Sequence, residues 1–395
     1  MDEAYVAILA RLLCANVLEK CALLSGDEEL AHILTGQHFE ERFRLNNMVE
    51  QDYFGWLWRT PHLDQILPVG REIQRDLYAY DFSHITEEDL FGQLMAQLAR
   101  RTERKLLGQE WTPRWIAKLL AEKCLASIPA GETPRIIDMC CGSGSILAEV
   151  IKMVKTARPK TPFDDLSVAA TGFDIDPLAV LLAKTTWVVT LANEVRTSTE
   201  AVTIPIYHAD SLFAVTPITR RLPLPGQTGE IIVELDGHRV VLPAELIGPE
   251  LSPLFDGIVD WAYDETRDAQ RKGNADALTQ DRAAELVRTL IDRYRLKVDQ
   301  SLKEHIQRCT FTLAKRMAEL AVANRNGIWA FILRNAYRPS LLAGQFNGLV
   351  CNPPWMAMSQ FAENPYKEQL SLRAQAYGIK PAGASHLHLE LATVH

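Results

Sequence analysis

Apolar residues change their spacing several times along this chain, and each change marks an element. From residue 1 to about 107 they recur three and four apart, as in Leu9, Leu12, Leu13 and Val17, and no strand-like alternation interrupts them. That spacing lines one face of a helix, so residues 1–107 are expected to form a helical domain. Asp52 to Leu57 add an aromatic cluster, and the polar stretch starting at Asp81 opens an amphipathic helix running through Leu98. Arg100, Arg101, Arg104 and Lys105 then form a basic knot, which suits a solvated helix end at least as well as a phosphate contact. In the following Gly-Gln-Glu-Trp-Thr-Pro-Arg-Trp, Thr112 is expected to cap a helix opened by Pro113. Trp111 and Trp115 flank that pair, as would suit a lid over a flat, partly apolar ligand.

Short continuous apolar runs then take over. Arg135-Ile-Ile-Asp138 is an apolar run ending in an acid, the small-residue turn Met-Cys-Cys-Gly-Ser-Gly follows, and helical spacing begins at Ser145. This is a buried parallel strand feeding a glycine turn and a helix N-terminus. Gly142 and Gly144 allow a tight turn with a ligand lying against the backbone. Leu147 stands where a dinucleotide fingerprint would have its third glycine, so the turn points to a nucleoside pocket without a phosphate. An ordinary strand, turn and helix of any α/β protein is the competing account of this stretch alone. After a surface loop from Pro159 to Asp165, Ala169 to Asp176 reads as a second strand, followed by a helix starting at Pro177. Val202 to Asp210 reads as a third strand. Asp138, Asp174 and Asp210 would thus close three strands in register along one crevice.

Residues 213–345 interrupt this series. Two apolar runs around Asp236-Gly237 predict a β-hairpin at 229–243, and helical spacing covers about 275–323, with Asn326-Gly327 as a stop. Between Arg282 and Arg325 stand ten Lys or Arg against five Asp or Glu. A solvated helical face and a contact with a DNA backbone account for that excess equally well. A last short strand, Phe346 to Cys351, runs into Asn352-Pro353-Pro354-Trp355. The prolines rigidify the backbone there, which fixes an amide side chain and a carbonyl side by side beneath an indole face. Another helix start follows at 387–394.

Composition narrows the setting. With 395 residues, 23% charged and 47% hydrophobic, the chain has the profile of an ordinary globular protein of two or three domains. Its apolar runs are too short to span a bilayer, and acids at positions 2 and 3 do not make a secretory signal. Seven cysteines at irregular spacing, with no C-x-x-C pair, argue against a disulfide framework or a zinc site and fit a reducing cytoplasm. A net charge of −8 means that any nucleic-acid contact must come from a local patch or a partner.

In this order the segments resemble the class I S-adenosylmethionine-dependent methyltransferases, in particular the N6-adenine DNA methyltransferases of restriction and phage-defence systems. No single piece is specific, but the combined order is. The resemblance implies an α/β fold: a Rossmann-like class I methyltransferase sheet, incomplete at its C-terminal side, with an N-terminal helical domain and a long, mostly helical insertion. It divides the chain at 1–107, 108–212, 213–345 and 346–395. It places S-adenosylmethionine against Trp111, Thr112, Pro113, Asp138, Cys140, Gly142, Gly144, Asp174, Ile175, Asp210, Ser211 and Leu212. Within that set Thr112-Pro113 is similar to the segment at the methionine end, Asp174 to the ribose-binding acid, and Asp210 with Leu212 to the group around the adenine ring. Met139 stands where the family usually has proline and Cys140 where it has a small residue. Asn352, Pro353, Pro354 and Trp355 resemble the catalytic tetrapeptide, which implies double-stranded DNA with a flipped adenine as substrate. The family's sheet continues with three more strands and a target-recognition region. A protein partner or further C-terminal polypeptide is therefore expected, and no membrane. The same tetrapeptide occurs in enzymes resembling RNA-adenine and protein-glutamine methyltransferases, and a non-catalytic subunit of a defence complex is the non-enzymatic alternative.

Overall fold

The computed structural model describes residues 2–49, 57, 62–83, 112–211, 229–323, 329–354, 370–371, 374–375 and 378. Trp111, Leu212, Trp355, the basic knot at 100–105, the Asn326-Gly327 stop and the helix read at 387–394 lie outside the described residues, as does nearly all of 81–98. The chain divides into two compact units, one formed by 1–212 with 346–395 and the other by 213–345.

The first unit begins with α1 (Asp2–Glu19), α2 (Asp27–Thr35), α3 (Gln37–Phe43) and α4 (His62–Leu77). The sheet-bearing part follows: α5 (Arg114–Ser127), β1 (Ile136–Asp138), α6 (Ser145–Ala157), α7 (Phe163–Ser167), β2 (Ala170–Asp174), α8 (Pro177–Thr190), α9 (Ala192–Thr197) and β3 (Ile206–His208). The second unit holds β4 (Glu230–Leu235), β5 (His238–Pro243), α10 (Ser252–Lys272), α11 (Gln280–Tyr294), α12 (Gln300–Val322) and α13 (Trp329–Leu341). The first unit then resumes with β6 (Gly348–Leu349).

The fold is thus mixed α/β, mostly helical, with a four-stranded parallel sheet in the order β3-β2-β1-β6. The strand before Asn352 lies beside the glycine-turn strand: Ile137 faces Leu349, and Val350 N donates to Ile137 O at 2.9 Å. Asn347 sets this register. Its side-chain oxygen accepts from Arg135 N at 2.8 Å while its amide donates to Thr133 O at 2.9 Å. From β1 the chain runs outward through β2 to β3, then returns to the other side of β1 with β6. Strand order reverses at β1, and in open parallel sheets the crevice beyond the strand ends at such a reversal is where ligands bind.

One hydrophobic core joins α1–α4 to the sheet layer, from Val6 and Leu12 through Ile136 and Val150 to Val350. At its centre, α8 is buried on every side except at Pro177 and Val189. Asp176 caps it by accepting from Leu178 N at 2.9 Å, with Pro177 in the first turn where its missing N–H is no loss. The sequence reading of a helix opened by Pro177 is met.

Three local expectations change. The third strand, read as Val202 to Asp210, spans only Ile206–His208. Residues 202–204 are drawn instead to the segment after α3. Val202 bridges to Leu45, and the Asn47 side chain accepts from Ile204 N at 2.7 Å and donates to Ile204 O at 2.9 Å. The buried Lys184 ammonium donates to Asn47 O at 2.7 Å and fixes this clasp. The loop read from Pro159 to Asp165 turns helical at Phe163, after Pro162. Thr112 does not cap α5: Pro113 is the N-cap, and no side chain caps the helix.

The second unit has its own core, built from β4, β5 and the four helices. The predicted hairpin is present, with Asp236 at φ 48° and Gly237 at φ 79° forming its two-residue turn. The helical stretch from about 275 resolves into α11 and α12. The sequence reading did not single out α10, although its buried Leu254, Phe255, Ile258, Val259 and Ala262 follow helical spacing.

Candidate functional site

Asp138 and Asp174 end their strands, Asp210 follows β3 by two residues, and Asn352 follows β6 by three. Because the four strands are parallel, all of these residues emerge at the same edge. The sequence-predicted acids and the Asn-Pro-Pro motif are therefore brought to one place, around the reversal at β1.

The glycine turn is built by backbone conformation. Gly142 has φ 53° and Gly144 φ 86°, the left-handed region that glycine enters at little cost. Gly144 is also confined from outside: a Cβ there would stand 3.1 Å from Ala183 Cα on α8. Cys141 N donates to Phe173 O at 2.9 Å and carries the β1–β2 ladder into the turn.

The two acids differ in their partners. Each Asp174 oxygen has one backbone donor, Oδ2 accepting from Gly142 N at 2.8 Å and Oδ1 from Asp176 N at 2.9 Å. The acid after β2 thus holds the turn after β1. Burial pushes its pKa up to about 6 despite those bonds. Asp138 Oδ1 accepts from Cys140 N at 3.1 Å, whereas Oδ2 is buried with no partner among the described residues. Burial, with the Asp174 charge adding to it, pushes Asp138 up to about 7. An unpartnered buried carboxylate oxygen is costly unless a donor reaches it.

The remaining predicted residues fall around these acids. The Cys140 thiol hydrogen-bonds with Ser211, and burial raises its pKa far beyond that of an ordinary thiol. Cys351, just before Asn352, is raised to about 11 by burial and by the Asp138 charge. Raised in this way, both groups are held as neutral thiols. Ile175 exposes 60% of its surface beside Asp174, and its carbonyl oxygen lies 2.8 Å from His208 Nε2. Asp210 is half-buried. Asn352 Nδ2 donates to Thr112 Oγ1 at 3.1 Å, a bond across 240 positions of sequence that joins the segment before α5 to the motif after β6. Pro113, Pro353 and Pro354 hold the backbone on either side of that bond.

Two neighbours were not anticipated. Gly172 lies within β2, where a Cβ would meet Leu147 Cδ1 at 2.7 Å and Cys141 Sγ at 2.9 Å. A glycine inside a strand pattern is the available signal for such a close approach. Ser143, inside the glycine turn, has a buried hydroxyl with no partner among the described residues. Nothing in its sequence setting distinguishes it from any serine in a turn.

Fold and site define a mixed α/β protein with a glycine turn, two buried acids and an Asn-Pro-Pro segment at the carboxyl edge of a parallel sheet. Residues 86–215 match the family model described as N-6 DNA methylase. The matched span runs from before α5 to just past β3 and leaves out Asn352. No curated protein and no solved structure matches this chain.

Proposed function

We propose that this protein transfers a methyl group from S-adenosylmethionine to the N6 amino group of adenine in DNA, as part of a restriction-modification or phage-defence system. The observation carrying this reading is the pairing of β6 with β1, which brings the Asn-Pro-Pro segment to the same sheet edge as the Asp138 turn, with Asn352 bonded there to Thr112. The reversal at β1 and the order β3-β2-β1-β6 support a Rossmann-like class I methyltransferase sheet.

The residues at the glycine turn fit the cofactor. Asp138 Oδ2 is an orphaned acceptor suited to an ammonium group, and the second lone pairs of Asp174 suit ribose hydroxyls. Ile175 offers an exposed apolar face to a base, and Gly142 and Gly144 have no side chains to keep a ligand from the backbone of the turn. When bound, S-adenosylmethionine supplies a methyl group on a sulfonium centre, the electrophile in the reaction.

The chain's own residues prepare the nucleophile. The Asn352 side-chain oxygen and the Pro353 carbonyl accept hydrogen bonds from the amino group of a flipped adenine. Those bonds draw the nitrogen lone pair out of conjugation with the ring. Pro354 holds the turn rigid, and Trp355 provides a stacking face for the base. Catalysis of this kind is positioning and electrostatics, with no charged base at the nitrogen. The reading is tested by incubating the full chain with methyl-labelled S-adenosylmethionine and pools of DNA, RNA and protein. Label in N6-methyladenine of DNA is expected; label confined to RNA or protein would overturn it.

Asp138 makes the reading pH-sensitive. An ammonium ligand needs the carboxylate, and in the free protein that carboxyl titrates at about 7. Cofactor affinity should therefore rise with pH until about 7 and level off above it, weakening by up to tenfold per unit below. Stability of the unliganded protein runs the other way. A folded-state pKa above the unfolded value gives stability that is full below about pH 4 and lost as pH rises through about 7. Calorimetric titration from about pH 5.5 to pH 8, in buffers of different ionisation heat, should also show proton release on binding. Affinity that is flat across that range would remove Asp138 from the ligand.

A further inference from the structure

In the helices of residues 213–345, most of the described cations have a carboxylate or ring partner except at one end of one hairpin. Arg271 pairs with Asp268, Arg282 with Glu265, Arg316 with Glu319, Arg334 with Asp260 and Arg338 with Asp256, while Arg267 lies over the Tyr263 ring. The consecutive basic residues Arg288, Arg293, Arg295, Lys297, Lys303 and Arg308 have no ion-pair partner among the described residues. All are exposed except Lys303, which is half-buried.

These six share one location. α11 and α12 form an antiparallel hairpin, with Gln307 Nε2 donating to Ala284 O at 3.3 Å across the seam. At 1.5 Å per residue, Arg288 lies about 9 Å before the end of α11 and Arg308 about 12 Å into α12. Four acids stand among or beside these six cations, Glu285, Asp292, Asp299 and Glu304, so the excess is positive; Asp299 caps α12 by accepting from Leu302 N at 2.9 Å, and Glu304 accepts from the Gln300 amide at 2.7 Å. The dipole of α11 accounts for Arg293 and Arg295 at its C-terminal end. It does not account for Lys303, which stands near the N-terminus of α12, where a cation is disfavoured. A concentration of unmatched cations on a chain of net charge −8 calls for an anion from outside.

We propose that the turn joining α11 and α12 is a contact surface for the phosphate backbone of duplex DNA, independent of base sequence. The choice of DNA rests on the methyltransferase reading above; the surface rests on the charge pattern. Duplex DNA presents about one charge per 1.7 Å, dense enough to engage several of these side chains together.

The test uses the full chain, short duplex DNA of arbitrary sequence and fluorescence anisotropy over a salt series. A combined Arg288→Gln, Arg295→Gln, Lys297→Gln, Lys303→Gln variant should bind at least about tenfold more weakly at low salt. Its slope of log affinity against log salt should fall by about 2–4, since each phosphate contact contributes close to one. Arg271→Gln with Arg282→Gln, which removes two matched cations, should leave both quantities near wild type. Melting temperature and S-adenosylmethionine affinity, measured on every variant, report folding. A folded fourfold variant with wild-type affinity and slope overturns the surface while leaving the methyltransferase reading intact. Wild-type protein that binds no duplex at low salt overturns the surface and the DNA reading together. Unchanged DNA binding with loss of polyglutamate binding would assign the turn to an acidic protein and overturn the proposal.

Discussion

Asn352→Ala is expected to reduce methyl transfer by about 10²–10³-fold or more, the scale on which one preorganised polar group acts in a transition state. Cofactor affinity should stay within a few-fold, because Asn352 is bonded to Thr112 rather than to the acids of the glycine turn. Single-turnover kinetics and calorimetry on the same preparation separate the two effects, and an Asn352→Ala enzyme with near-full turnover would remove the motif from the chemistry. Thr112→Val refines this. Loss of the 3.1 Å bond from Asn352 should cost about 0.5–1.5 kcal/mol, seen as a lower rate at saturating cofactor and restored by Thr112→Ser. If saturating cofactor alone restores the Thr112→Val rate, Thr112 serves only the cofactor.

Gly172→Ala should be the most damaging change outside the motif. The added methyl would stand 2.7 Å from Leu147 Cδ1 and 3.0 Å from Cys141 Cβ, in a strand buried on both faces. Overpacking of this kind costs about 1–3 kcal/mol. Relief means moving α6 or the glycine turn away from the sheet, and Asp174 is bonded to that turn through Gly142 N. Stability and cofactor affinity should therefore fall together. Urea midpoints and cofactor titration test this, and a variant that loses stability while binding cofactor normally would show that the turn does not move.

The parts of this architecture that are local in sequence could be read from it. The Asp138 strand, its glycine turn, the Asp176-Pro177 helix start and the Asp236-Gly237 hairpin each carry their own turn chemistry beside a clear change of apolar spacing. The turn at Asn352 was legible because two prolines mark it. What escaped depends on residues far apart. Thr112 has the look of a helix cap, yet its hydroxyl serves Asn352. Residues 202–204 have strand-like composition, yet Asn47 takes their backbone groups and shortens β3 to Ile206–His208. The distinction between Asp138 and Asp174 follows the same rule. Both are acids at strand ends, and only the fold shows that each oxygen of one has a backbone donor while the other keeps an unpartnered oxygen.

The discontinuity of the sheet-bearing unit bears on how the protein is made. During synthesis β1, β2 and β3 emerge early, but β6 does not follow until after all of residues 213–345. For that interval Ile136 and Ile137 have a strand on one side only, which leaves an unsatisfied edge in a nascent sheet. The intervening unit is continuous in sequence and has its own core, so it can fold as soon as it leaves the ribosome. Stalled chains ending before and after Gly348 would reveal this order by proteolysis, with the 213–345 segment protected in both and β1 only in the longer.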